Sequence, residues 1–155
     1  MDANELSYTN RARVLLVDDE PLNLSALGRL LRRHYEVLAA TSGARALEIA
    51  SSDSKPDLIL LDIQMPDMNG FQVLKRLKED PLTRDIPVIF ITVMDAMDDF
   101  AEGLQAGAVD YIAKPFSNDI VLARIATHLV LKKVTDELVA ARALLATRAH
   151  AEAAI

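Results

Sequence analysis

The sequence predicts an α/β domain built on a doubly wound parallel sheet, with an extended helix at its C-terminal end. Three observations carry that prediction. Short apolar runs alternate with segments of helical apolar spacing in the order βαβαβαβαβα, which implies parallel strands, right-handed crossovers and helices on both faces. Two of the runs, LILL and VIFI, are apolar without alternation, as strands buried on both sides should be. The junctions carry the residues that start helices and bracket strands.

Taken in chain order, the apolar runs place strands at Val14 to Val17, Glu36 to Ala40, Asp57 to Leu61, Pro87 to Ile91 and Val109 to Ala113. Leu24, Leu27, Leu30 and Leu31 share a face of the first helix, which opens on Pro21, where a missing N–H costs nothing. Ser42 and Gly43 open the second, with Ala46, Leu47, Ile49 and Ala50 inward; Asn69 and Gly70 precede the third, with Phe71, Val73, Leu74 and Leu77 inward. The fourth is expected to bury Phe100, Ala101 and Leu104, with Asp95 its better cap. Pro56 and Pro87 stand at strand entrances.

From Asp119 to about His150 there is neither Pro nor Gly. One helix of about 32 residues, about 48 Å long, is therefore expected. Its first half can pack on the sheet, and its second half overshoots it. There Leu131, Val134, Leu138, Ala141 and Leu145 follow a 3-4-3-4 spacing, the seam of a pairing helix. A frayed amphipathic tail is the alternative. The organisation expected is a loose N-terminus over 1–11, one domain over 12–131, and a helical extension, possible coiled coil, over 132–155.

The bulk numbers narrow the function. At 155 residues the chain has room for one domain with a core and an appendage. Hydrophobic residues make up 51% and charged ones 26%, a globular balance. No apolar run approaches the roughly eighteen residues of a membrane span, and the start MDANELSYTN has no secretory pattern. No cysteine is present, which excludes a disulfide framework, thiolate ligands and a Cys nucleophile. A cytoplasmic location fits. Net charge is −6 with the basic residues dispersed, so no nucleic-acid or membrane partner is expected. His34, His128 and His150 lack a zinc-binding spacing.

Ligands of a doubly wound sheet gather at the carboxyl ends of its strands. Strand one ends on Asp18, Asp19 and Glu20, strand three on Asp62, strand four on Thr92, and strand five on Lys114. Singly, each has an ordinary explanation: helix-start acids, a turn-starting Asp, a cap, a surface lysine. Together they fall on one edge of one sheet. Two carboxylates about 4 Å apart repel by about 4 kcal/mol at an effective dielectric near 20, so the pocket needs positive charge. Lys114 supplies one; a hard divalent cation bound by oxygen, Mg²⁺ rather than zinc, would supply two more. Carboxylates, Mg²⁺ and a lysine are equipment for phosphoryl transfer, with an Asp oxygen as nucleophile.

The segments VLLVDDE, LILLDIQMPDMNG, VIFIT and DYIAKPF resemble, in order and spacing, the four motifs of the response-regulator receiver domain of two-component signalling, over roughly residues 12–131. The resemblance implies a flavodoxin-like (βα)5 fold with strand order 2-1-3-4-5, and phosphoryl transfer from a histidine kinase or phosphotransfer protein. It makes Asp62 the phosphoacceptor, and Asp18, Asp19, Asp62 and the backbone carbonyl of Gln64 the Mg²⁺ site. Thr92 becomes the switch hydroxyl, Lys114 its ion-pair partner, Tyr111 the aromatic that follows Thr92, and Lys114-Pro115 a cis bond. Asp110 and Arg124 resemble positions of cross-subunit ion pairs in some relatives; a solvated pair within one chain fits equally.

The resemblance further implies a phosphoacceptor with at most self-directed phosphotransfer and autodephosphorylation, not a turnover enzyme. The stretch VLARIATHLVLKKVTDEL is similar to helices that join receivers to a cyclase, kinase or phosphodiesterase. A homodimer through the fifth helix and its extension, or an effector domain beyond it, would be the partner. Two alternatives stay open: a degenerate receiver serving as a dimerising scaffold, and an Asp-nucleophile phosphatase of the haloacid-dehalogenase type. The latter carries DxD after its first strand, where this chain has DDE.

Overall fold

The computed structural model describes residues 11–93 and 100–153 of the chain. The stretch expected to be loose lies outside them except for Arg11, whose guanidinium donates to the Arg32 carbonyl at 2.9 Å. Asp95 lies outside as well. Five strands, β1 Arg13–Val17, β2 Glu36–Ala40, β3 Leu58–Asp62, β4 Val88–Val93 and β5 Asp110–Lys114, alternate with five helices. These are α1 Pro21–Leu31, α2 Gly43–Ala50, α3 Gly70–Glu79, α4 Phe100–Ala106 and α5 Asn118–Ala153. All strand pairs are parallel, in the order β2-β1-β3-β4-β5. This is the flavodoxin-like order, and it reverses direction between β1 and β3.

Alternation along each strand divides the core in two. Leu15, Val17, Ile59, Leu61, Val88 and Phe90 face one side, where they meet Ala46 and Ala50 of α2 and Val73, Leu74 and Leu77 of α3. Val14, Leu16, Leu58, Leu60, Ile89 and Ile91 face the other, against Leu27 and Leu31 of α1 and Val121 and Ile125 of α5. Both faces of the central strands are thus covered. That is why LILL and VIFI show no polar alternation.

Helix starts follow local chemistry. Ser42 caps α2 by accepting from the Arg45 N–H. Asn69 and Gln72 form a reciprocal capping box at α3, with Asn69 Oδ1 accepting from Gln72 N at 3.0 Å and Gln72 Oε1 from Asn69 N at 2.9 Å. Pro21 opens α1, whose cap residue, Glu20, makes no side-chain cap bond.

Helix α4 corrects the sequence reading. The side chain of Phe100 lies outside the described residues; Ala101 and Leu104 are exposed, and the buried residue among those described in this helix is Gly103. A Cβ on Gly103 would lie 2.6 Å from the Phe90 ring, so that ring takes the place the apolar residues were expected to fill. Helix α5 runs 36 residues, about 54 Å at 1.5 Å per residue. From Lys133 to Ala153 every residue is exposed. No helix among the described residues is long and apolar enough to cross a membrane.

Beneath the sheet, Asp110 of β5 ties α5 down. Its Oδ1 accepts from Arg124 Nη1 at 2.8 Å and from the Tyr111 N–H at 2.8 Å, and its Oδ2 lies 2.8 Å from His128 Nε2. The Asp110–Arg124 pair is therefore made within one chain. Burial pushes the Asp110 carboxyl up, but the hydrogen bonds from His128, Tyr111 and Arg124 outweigh it and hold the group below its usual 3.8. A depressed carboxylate stabilises the fold above its unfolded pKa and loses that contribution as pH falls through the folded one. Asp110→Asn is expected to cost about 1 kcal/mol near neutral pH. Urea titrations should show the difference shrinking below pH 3.8, the pH at which an unperturbed carboxylate half-protonates.

Candidate functional site: an acidic pocket at the carboxyl edge of the sheet

The reversal of strand order opens a crevice beyond the carboxyl ends of β1 and β3, and the sequence places its acids there. Val17 pairs with Leu61, so Asp18 and Asp62 follow side by side. Asp62 pairs with Ile91, which puts Thr92 one residue further on, and Val93 pairs with Lys114. Four strand ends, from distant parts of the chain, thus supply one pocket.

Lys114 Nζ sits between two carboxylates, donating to Asp18 Oδ2 at 3.1 Å and to Asp62 Oδ2 at 3.2 Å. Asp62 Oδ1 accepts from the Gln64 N–H at 3.0 Å, which fixes the carboxylate at both oxygens. One oxygen from each of Asp18, Asp19 and Asp62 lies within 4.8 Å of the others. Asp18 and Asp62 are buried, 1% and 6% exposed, while Asp19 is half-buried at the rim. The Lys114-Pro115 peptide bond is cis.

Burial raises the Asp62 carboxyl above the usual carboxylate range, and the charge of Asp18 adds to the rise; Lys114 and the Gln64 N–H oppose it without cancelling it. For Lys114 the balance goes the other way. Burial would lower it, but the hydrogen bond to Asp18 and the charges of Asp62 and Asp18 raise it, so the ammonium stays protonated. Three carboxylates against one ammonium leave a net charge of about −2. An all-oxygen donor set with that deficit suits a hard divalent cation.

Thr92, 1% exposed, has a buried hydroxyl with no hydrogen-bond partner among the described residues. Such a group costs roughly 1–3 kcal/mol, so its retention beside an anion pocket calls for a use. Tyr111 is buried in the same sheet, on the face toward α3. Residues 94–99, which follow Thr92 and Val93, lie outside the described residues.

One neighbour of the pocket is not legible in the sequence as a site residue. Asn23, in the first turns of α1, donates through Nδ2 to Asp18 Oδ2 and to Glu20 Oε2, both at 3.2 Å. Its neutral amide bridges two acids that would otherwise repel. The Glu20 N–H donates to Asp18 Oδ1 at 2.9 Å. The available signal was the spacing: an amide one turn after Glu20 and five residues after Asp18. Asn23→Ala is expected to weaken Mg²⁺ binding roughly tenfold, read by calorimetric titration of the metal.

Fold and site together define a flavodoxin-like α/β protein with a cation-ready acidic pocket at its topological switch point. The chain belongs to the response regulator receiver domain family, whose sequence model matches residues 14–126. Response regulator PleD of Caulobacter vibrioides is 44% identical over 128 residues, covering 82% of this chain and 28% of PleD. Protein PilH of Pseudomonas aeruginosa is 40% identical over 115 residues, covering 74% of this chain and 94% of PilH. Among solved structures, a CheY-like response regulator receiver domain protein from Methanospirillum hungatei superposes with a TM-score of 0.75 at 28% identity, over 81% of this chain and 99% of the other. The chain thus spans a little over a quarter of PleD's length and nearly all of PilH's.

Proposed function

We propose that this receiver domain is a phosphorylation-driven switch in which Asp62 takes a phosphoryl group from a histidine kinase or a phosphotransfer protein. The observation that carries the proposal is Lys114 Nζ lying within 3.2 Å of both Asp18 and Asp62, with Asp19 close enough to complete a cation site. An Asp62 oxygen attacks phosphorus, and the phosphorus–nitrogen bond of the donor phosphohistidine breaks. The electron pair leaves on the imidazole, which takes a proton from solvent, and an acyl phosphate remains on Asp62.

Asp18, Asp19, Asp62 and the Gln64 backbone carbonyl would hold Mg²⁺, which when bound offsets charge on the phosphoryl oxygens. The chain's own residues do the rest. The Gln64 N–H and Lys114 hold the Asp62 carboxylate in one orientation. The Lys114 ammonium can follow negative charge from the carboxylate to the phosphoryl group, and the Thr92 hydroxyl gains an acceptor there. The new group is more negative than the one it replaces, so it biases an equilibrium between two arrangements of α4, β5 and α5, with Tyr111 following Thr92. Helix α5, rooted by Val121, Ile125 and the Asp110 bonds, would carry the change toward an effector domain or partner.

Incubating the protein with Mg²⁺ and a small phosphodonor tests this. Intact mass is expected to rise by one phosphoryl group in the native chain and to stay fixed in Asp62→Ala. Modification that persists in Asp62→Ala would place the acceptor elsewhere.

A further inference from the structure

Gly103 stands at the middle of α4, where glycine is the residue a helix tolerates worst after proline. Its place there has a steric reason. A Cβ at 103 would lie 2.6 Å from Phe90 Cε2, 3.0 Å from Phe90 Cδ2 and 3.3 Å from Phe71 Cε1. The backbone of α4 therefore rests on the edge of the Phe90 ring at a separation that a side chain would not allow. We propose that this seat is the contact through which the acidic pocket moves α4: Phe90 and Gly103 are positioning residues, closed on each other in the arrangement described here and parted when Asp62 carries phosphate.

The surroundings of Phe90 carry the argument. It lies two residues before Thr92 on β4, so the two side chains share a face of the sheet. It stands in register with Tyr111 of β5 and belongs with it to the same buried cluster. A third ring, Phe71 of α3, meets Phe90 edge-on, with centroids 5.2 Å apart and planes at 62°. Phe90 is 2% exposed, and it has neighbours on α3, β5 and α4 at once.

A close-packed interior shifts between discrete arrangements and does not deform smoothly. When the Thr92 hydroxyl turns to the phosphoryl group and Tyr111 follows it, the ring beside Tyr111 has to repack. Its edge lies against bare helix backbone, where no flexible side chain can take up the change, so α4 lifts from its seat. The inference rests on the phosphorylation reading of Asp62 and adds to it the route from that pocket to α4. It also gives the glycine a use: the notch lets the helix sit close enough to feel the ring.

Gly103→Ala in the full chain holds α4 off the ring in advance. Alanine ordinarily favours a helix interior over glycine, so a fall in melting temperature would report the clash and not the backbone. The rate of phosphoryl uptake from a small phosphodonor with Mg²⁺ should meanwhile rise on the order of tenfold, because the arrangement that competes with phosphorylation is the one penalised. A merely structural role for Gly103 would lower both. Phe90→Leu ends the side chain short of the ring edge, and in that background Gly103→Ala should change the uptake rate by less than about twofold. Unchanged or slower uptake in Gly103→Ala, or an equal effect in both backgrounds, would overturn the seat. Phe90→Leu alone gives a second readout that does not need the glycine variant to fold. Under a steady supply of phosphodonor, hydrogen exchange in the native chain should change in both α4 and β5, and in Phe90→Leu in β5 only. An α4 response that survives Phe90→Leu would contradict the proposal. A native chain that takes up no phosphoryl group would remove the Asp62 reading and the seat with it, whereas native uptake with unaltered variants counts against the seat alone.

Discussion

Lys114→Ala is expected to destabilise the protein by about 3 kcal/mol in metal-free buffer, the cost typical of stripping one partner from a largely buried ion pair. The side chains concerned are 18% exposed for Lys114, 2% for Asp18 and 8% for Asp62. Removing the ammonium leaves two neighbouring carboxylates and the rim carboxylate of Asp19 with no neutralising charge. The same change makes the pocket more negative and therefore a stronger trap for a divalent cation. Added Mg²⁺ should stabilise the variant more than the native chain, and the gap between them should narrow. Urea denaturation with and without Mg²⁺ reads both effects. A gap that ignores the metal would mean that the cation does not enter this pocket. The pH dependence has a definite sign: because Lys114 is raised above 10.5 in the folded state, its contribution is complete below that value and is lost as pH rises through the folded pKa.

Gly70→Ala should be comparably severe, for a different reason. An added Cβ would lie 2.6 Å from the Asp62 carbonyl oxygen and 2.8 Å from the Ile63 Cα. Both are backbone atoms at the end of a central strand, flanked by a hydrogen bond from Gly70 N to the Ile63 carbonyl at 2.9 Å, and they cannot swing aside as a flexible side chain would. Overpacking of this kind costs about 3 kcal/mol. The strand end that must move carries Asp62, so the variant should lose Mg²⁺ affinity along with stability. Gly28→Ala is the control, since its nearest contact is the flexible Arg32 guanidinium at 3.5 Å. Equal behaviour of the two variants in thermal melts and metal titration would refute the coupling between helix packing and the pocket.

Why some of this was readable in the chain and some was not follows from particular residues. The strands were legible because β1, β3 and β4 are buried on both faces and must be continuously apolar. Their bounds differ where the ladder and the apolar run part: β1 begins one residue earlier, at Arg13, while β3 and β4 begin one residue later than Asp57 and Pro87 and run on to Asp62 and Val93. Asp57 brackets β3 from outside: its Oδ2 accepts from the Arg13 N–H at 2.7 Å. Pro87, without an N–H, contributes only its carbonyl, which accepts from Ile59 N at 3.0 Å. Asp62 was legible because a charge directly after four buried residues is costly unless something holds it. Helix α4 was misread because apolar spacing counts side chains, and the buried residue, Gly103, has none. Asn23 is not legible as a site residue because a neutral amide near a helix start is common, and only the fold shows that it reaches two carboxylates at once.

The most direct measurement of the central claim is a paramagnetic one, with Mn²⁺ standing in for Mg²⁺ in ¹⁵N-labelled protein. Substoichiometric Mn²⁺ should first broaden the amides of residues 18–20 and 62–64 and those of Thr92 and Lys114, with excess Mg²⁺ reversing the effect. Broadening that begins elsewhere, or spreads evenly over the acidic surface, would contradict a cation site formed by Asp18, Asp19 and Asp62 beside Lys114.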